Sequence, residues 1–140
     1  MLELAPGYIR DLASQIGFLS AFLGGFAATL FGVLLTTTKE NKAVGASIAL
    51  SALAGIAFIV AVIASTQVNA VTHPEAPALV AQRGFKVGQI VMSAGFMLGV
   101  YSLLGCIGFA GWARSRATGV VTGIIAAAGA IAVTLALATL

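Results

Sequence analysis

Apolar positions along this chain fall into four unbroken blocks rather than a mosaic. Residues 12–38, 43–72, 87–113 and 117–140 contain no Asp, Glu, Lys or Arg. Each block exceeds the roughly 20 residues a helix needs to cross the hydrocarbon of a bilayer. The ionisable residues are confined to narrow zones between and before them: Glu3, Arg10 and Asp11; Lys39, Glu40 and Lys42; His73, Glu75, Arg83 and Lys86; Arg114 and Arg116. In lipid the backbone must satisfy its own hydrogen bonds, which permits only helices or closed barrels. The blocks are too long and too continuously apolar for barrel strands with alternating faces. The predicted fold is therefore all-α: one integral membrane domain over residues 1–140, with four transmembrane helices at about 13–37, 44–68, 87–111 and 117–139.

The connections set the topology. Thr37-Thr38-Lys39-Glu40-Asn41-Lys42 and Gly111-Trp112-Ala113-Arg114-Ser115-Arg116 are short, so the helices they join are expected to be antiparallel, in an up-down-up-down bundle. The middle connection is longer. Thr72-His73-Pro74-Glu75 reads as a helix end followed by a new start with proline in its first turn. Residues 72–86 are expected to form a loop, a short amphipathic helix or an extension of the third span. Residues 2–12 mix Leu4, Tyr8, Ile9 and Leu12 with Arg10 and Asp11, the pattern of a short interfacial helix. The first block lacks a preceding basic cluster and a small-residue cleavage site, so it is expected to remain as a span. Lys39, Lys42, Arg114 and Arg116 on one side outnumber Arg10, Arg83 and Lys86 on the other, which favours cytoplasmic short loops and outside termini in a cell or inner membrane. Trp112 and Tyr8 fall where aromatic belts form.

Composition agrees with lipid as the surrounding solvent. The chain is 60% hydrophobic and only 8% charged, against about a quarter charged for a soluble domain. Seven basic residues against four acidic ones make a net charge of +3, too sparse for a nucleic-acid footprint. The single Cys106 cannot form an intramolecular disulfide. The spans hold no ionisable residue, which argues against a proton relay, a rotary-ring subunit or a gating-charge helix. The one histidine, His73, lies in a connection, where it and Glu75 read as solvated polar residues, so no metal site and no cofactor are expected. Ser and Thr are plentiful but lack a general base within the blocks, so enzyme activity is not expected.

Small residues carry the remaining signal, because membrane helices associate by close van der Waals contact that small side chains permit. In the first span Gly17, Ala21, Gly25 and Thr29 recur every four residues, and Ser20, Gly24, Ala28 and Gly32 make a second row. Phe18, Phe22, Phe26 and Leu30 form a bulky ridge expected on another side. Ser47, Ser51 and Gly55 recur in the second span; Gly88, Gly95, Gly99, Ser102 and Cys106 in the third; Thr118, Thr122, Ala126, Ala130, Thr134 and Ala138 in the fourth. These rows exceed what one four-helix bundle uses internally, which predicts a homo-oligomer or a subunit of a larger membrane complex. Gln15 and Gln89, near opposite span entrances, are the polar candidates for interhelical hydrogen bonds or a pore mouth.

The order of these features resembles the Orai-type calcium-release-activated channels. The resemblance rests on residues 20–27 with Gly25-Phe26-Ala27, on Ile63-Ala64-Ser65-Thr66 followed by Ala70-Val71, and on Gly111-Trp112-Ala113-Arg114. It implies four membrane helices, with the first lining the central pore of a hexamer, and cytoplasmic termini, against the charge-based orientation. The family's selectivity carboxylate would fall on Val33 and its acidic residue of the third helix near Cys106, so the calcium-binding ring is absent here. Only Arg10 matches the family's basic residues before the pore helix. Three functions are consistent with these readings. One is an oligomeric pore without an acidic selectivity ring, its axis surrounded by the Gly and Ser face of the first span or by its Phe ridge, with Phe18, Phe22 and Phe26 as a dewetting constriction. The others are an accessory subunit of a membrane complex and a compact four-helix transporter.

Overall fold

Long apolar runs leave the backbone no partner but itself, and helices result. The computed structural model describes residues 6–37, 41–73 and 78–138. It contains α1 (Pro6–Leu35), α2 (Lys42–Val71), α3 (Ala78–Arg114) and α4 (Arg116–Ala138). No strand occurs among the described residues. All four helices are long and apolar enough to cross a bilayer, over Gly7–Leu35, Lys42–Val71, Phe85–Arg114 and Arg116–Ala136. Residues 6–12, expected at the interface, are the first turns of α1, and residues 78–86 extend α3 toward its N-terminus. The expected start at Pro74 and the first part of the interfacial segment lie outside the described residues.

Polar side chains close the helix ends that water would otherwise have to satisfy. Asn41 caps α2, its side-chain oxygen accepting from the Ala43 amide at 3.3 Å. Ser115 caps α4, its Oγ accepting from the Thr118 amide at 3.1 Å. At the far end of α2, Thr72 donates from its amide and its hydroxyl to the Val68 carbonyl, at 3.0 and 2.8 Å. Thr36 and Thr37 similarly donate hydroxyls to the Val33 carbonyl at 2.8 and 3.4 Å. No described glycine has a positive φ. Glycines in this chain are therefore helix residues, and their use is close approach rather than turning.

Neighbours in sequence are antiparallel neighbours in space. Gly17 of α1 lies against Ser65 of α2 and Gly24 against Phe58. Gly88, Gly95 and Gly105 of α3 meet Val68, Ala57 with Ala61, and Leu50 of α2. Gly108 and Gly129 bring α3 and α4 together at Ala126 and Leu104. The up-down-up-down order is thus present, but among the described residues the first and last helices do not touch: α1 meets α2 and slightly α3, and α4 meets only α3. The four rods form an open row with α2 and α3 at its centre. In α2 and α3 33% of the most apolar stretch is buried, and in α1 and α4 only 11%.

Two apolar clusters hold the centre. Ala27, Ala54, Phe58 and Leu103 form one, with Leu23, Leu30, Phe96 and Val100 packed around it. Ala13, Ala64, Val68 and Met92 form the other, with Ile9, Ile16 and Phe85. Phe58 is fully buried and its ring meets Phe96 edge-to-face, with centroids 6.3 Å apart at 65°. A Cβ built on Gly99 would stand 2.7 Å from that ring, so only glycine admits Phe58 here. At Gly95 the backbones themselves close in: a Cβ would lie 3.1 Å from the Ala57 carbonyl oxygen and 3.3 Å from the Ala61 nitrogen.

Candidate functional site

Rotation of α1 about its own axis decides which of its residues are available. Ala13, Ser20 and Ala27 are fully buried, with Ile16, Gly17, Leu23, Gly24 and Leu30 half-buried beside them. These positions follow a seven-residue repeat, the pattern that keeps one face on a neighbour. A row with four-residue spacing does not keep one face, because four residues at 3.6 per turn advance about 40° beyond a full turn. Both small-residue rows of α1 therefore start against α2 and wind away from it. Gly17, Ser20 and Gly24 pack on α2, whereas Ala21, Gly25, Ala28, Thr29 and Gly32 are exposed. A Cβ placed on Gly25 or Gly32 would meet nothing within 4 Å.

The aromatic ridge lies beside this exposed stripe. Phe18 and Phe22 are 74% and 69% exposed, Phe26 47% and Val33 60%. The outward surface of α1 is thus phenyl rings bordered by glycine and alanine. Leu30, grouped with the ridge in the sequence, turns inward to the core. Where α1 meets α2 the stripe lines an open groove of about 390 Å³, walled by Ser20, Ala21, Gly24 and Gly25 on one side and Ile59, Val62 and Ile63 on the other. The Ser20 Oγ is buried beside this groove and has no hydrogen-bond partner.

The third-span row is placed differently. Gly88, Gly95, Gly99, Ser102 and Cys106 are all buried, and the glycines among them face α2. Ser47 and Ser51 of α2 are buried; Ser47 Oγ donates to the Ala43 carbonyl at 2.9 Å and approaches the Cys106 carbonyl across the interface at 3.5 Å. Gly55 has turned away, with nothing within 4 Å of a Cβ. On α4, Thr122 donates to the Gly108 carbonyl at 3.2 Å, and Thr134 shares a 2.7 Å hydrogen bond with the Tyr101 hydroxyl.

Gln15 is exposed and Gln89 half-buried. An interhelical amide contact is made by Asn69, whose Nδ2 donates to Ser14 Oγ at 3.3 Å across the α1–α2 interface. Sequence reasoning passed over Asn69 because it sits at the last turn of its block, where polar residues are usually solvated. The signal available was its position opposite Ser14 once α1 and α2 are antiparallel. Among the described residues no cluster of His, Cys, Asp and Glu of metal-binding size occurs.

Four apolar membrane-length helices in one unit define a small multi-pass membrane protein. No family model, curated protein or solved structure matches the chain.

Proposed function

We propose that this protein is a self-assembling bilayer subunit, in which α1 of one copy packs its outward face against further copies. The observation that carries the reading is the pair Gly25 and Gly32, helical glycines on an exposed face where an added Cβ would meet nothing within 4 Å. A helical glycine is worth about 1 kcal/mol less than alanine to helix stability in water, and it is useful where another backbone comes close. Within one copy that contact is not made. The shape of the row supports the same reading, since α1 and α4 form open edges that do not close on each other.

Single-molecule photobleaching of labelled full-length protein in liposomes tests it. Several copies per particle are expected, and Gly25→Leu together with Gly32→Leu should return single copies. Ala127→Leu on the exposed face of α4 should leave the distribution unchanged. Single copies at every protein-to-lipid ratio would refute self-assembly. A different protein co-purifying in fixed stoichiometry, and lost with the glycine substitutions, would replace the second copy by a complex partner.

A pore version of the assembly is favoured by Phe18 and Phe22 projecting from the same outward surface as Gly25. A ring of α1 helices would surround its axis with phenyl groups, a constriction that gates by dewetting. This agrees with the central first helix that the Orai-type resemblance implies, without that family's carboxylates. Planar-bilayer recording tests it: discrete conductance enlarged by Phe22→Ala is expected, and silence under all potentials removes the pore version while leaving assembly intact.

A further inference from the structure

At the membrane edge where α2 and α4 begin and α3 ends, a pocket of about 580 Å³ opens between the helices. Its polar rim is Asn41, Lys42 and Arg116, and its inner wall is Ala43, Ala46, Phe109 and Trp112. Lys42 and Arg116 are the first residues of their helices, so their charges add to the positive ends of two helix dipoles. The negative end of α3 terminates there too, with Arg114 in its last turn. Asn41 spends its side-chain oxygen on the Ala43 amide, which leaves its Nδ2 as a donor. None of these residues belongs to the outward face of α1.

We infer that this pocket binds the phosphate group of an anionic membrane lipid. Phosphate is the shared chemistry of a lipid headgroup and a free anion, and two features of the pocket favour the lipid. The cations lie at the ends of membrane spans, where headgroups are, and the wall beneath them is apolar and aromatic, where an acyl chain begins. A soluble phosphate has no use for that wall. Trp112 is fixed in place by α4: a Cβ on Gly119 would lie 2.5 Å from the indole, so the ring rests on a position that only glycine leaves open.

The chain carries a single tryptophan, so Trp112 reports on its own pocket. Full-length protein is reconstituted in mixtures of unlabelled phosphatidylcholine with acyl-brominated phosphatidylglycerol or acyl-brominated phosphatidylcholine, and quenching of Trp112 is measured. Lys42 and Arg116, each contributing about fivefold in association when set against the lipid phosphate, give an expected preference of about 25-fold for the anionic lipid. Lys42→Gln with Arg116→Gln should reduce it to about twofold or less, with helicity preserved by circular dichroism. Arg114→Gln removes an equal charge from the same edge but does not line the pocket, and should leave the preference in place. Equal quenching by the two brominated lipids would overturn the inference. So would an equal loss from Arg114→Gln and Arg116→Gln, which marks a diffuse surface potential. In neutral bilayers, a Trp112 emission shift caused by millimolar inorganic phosphate and lost in the double variant would assign the site to a soluble anion instead of lipid.

Discussion

Replacing Gly99 by alanine is the smallest change that tests how the centre of this protein is held. The added methyl would stand 2.7, 2.8 and 2.9 Å from Cε1, Cδ1 and Cζ of Phe58. All three are closer than carbon atoms pack, and the ring has little room to retreat because Phe58 is fully buried against Phe96. Overpacking of this kind costs about 1–3 kcal/mol. Against it stands the better helix propensity of alanine, about 1 kcal/mol in water. Gly55→Ala supplies the control, since it adds the same methyl to a helix where nothing lies within 4 Å. The difference between the two variants cancels propensity and leaves the clash, about 2 kcal/mol. Unfolding in mixed detergent micelles, at dilutions where single copies prevail, measures that difference. Phe58→Leu should partly rescue Gly99→Ala, with a coupling of at least about 1 kcal/mol in the double-mutant cycle. The reasoning fails if Gly99→Ala and Gly55→Ala change stability equally, or if the double variant is additive.

Three further outcomes follow from particular contacts. Tyr101→Phe removes the hydroxyl that meets Thr134 at 2.7 Å; a loss of about 0.6 kcal/mol is expected, together with faster amide exchange in α4, which is held only by α3. Unchanged exchange there would count against the contact. Ser20→Ala deletes a buried oxygen with no partner and should be neutral or stabilising by up to about 1 kcal/mol, whereas destabilisation in the same unfolding assay would show that Ser20 Oγ has a partner. Cysteines at Gly108 and Ala126, whose Cβ positions are 3.4 Å apart, should cross-link on mild oxidation in a Cys106→Ala background, since bridged Cβ atoms lie about 3.8 Å apart. Absence of the cross-link would show that α4 packs elsewhere.

Number and direction of the four helices were legible in the linear order of residues. The reason is that hydrocarbon acts on each segment separately: a charge-free block of membrane length is a helix whatever its neighbours do. Short connections then leave antiparallel packing as the available geometry. In the third span Gly88, Gly95, Gly99, Ser102 and Cys106 follow spacings of seven, four, three and four, which holds them on one side of a helix, and all five are buried. In α1 the rows and the face buried within the chain differ. The four-residue rows run from Gly17 to Thr29 and from Ser20 to Gly32, whereas the face buried within one copy is the seven-residue set Ala13, Ser20 and Ala27. Seven residues turn through nearly two whole revolutions, so they stay on α2 while the four-residue rows wind outward.

Tertiary structure alone decided how the rods are arranged and which surfaces remain open. Nothing in the hydropathy of α1 or α4 says whether they meet, because lipid and a protein neighbour are equally apolar to an isoleucine or a phenylalanine. Close contact rather than apolarity selects partners in a bilayer, and close contact is a property of pairs: Gly99 with Phe58, Gly119 with Trp112, Ser14 with Asn69. The same holds for the basic pocket, whose Lys42, Trp112 and Arg116 lie on three helices and come together only when α2, α3 and α4 stand side by side. Solvent preference is written residue by residue along the chain, whereas pairing depends on the rotation and register of whole helices, which exist only once the helices have met.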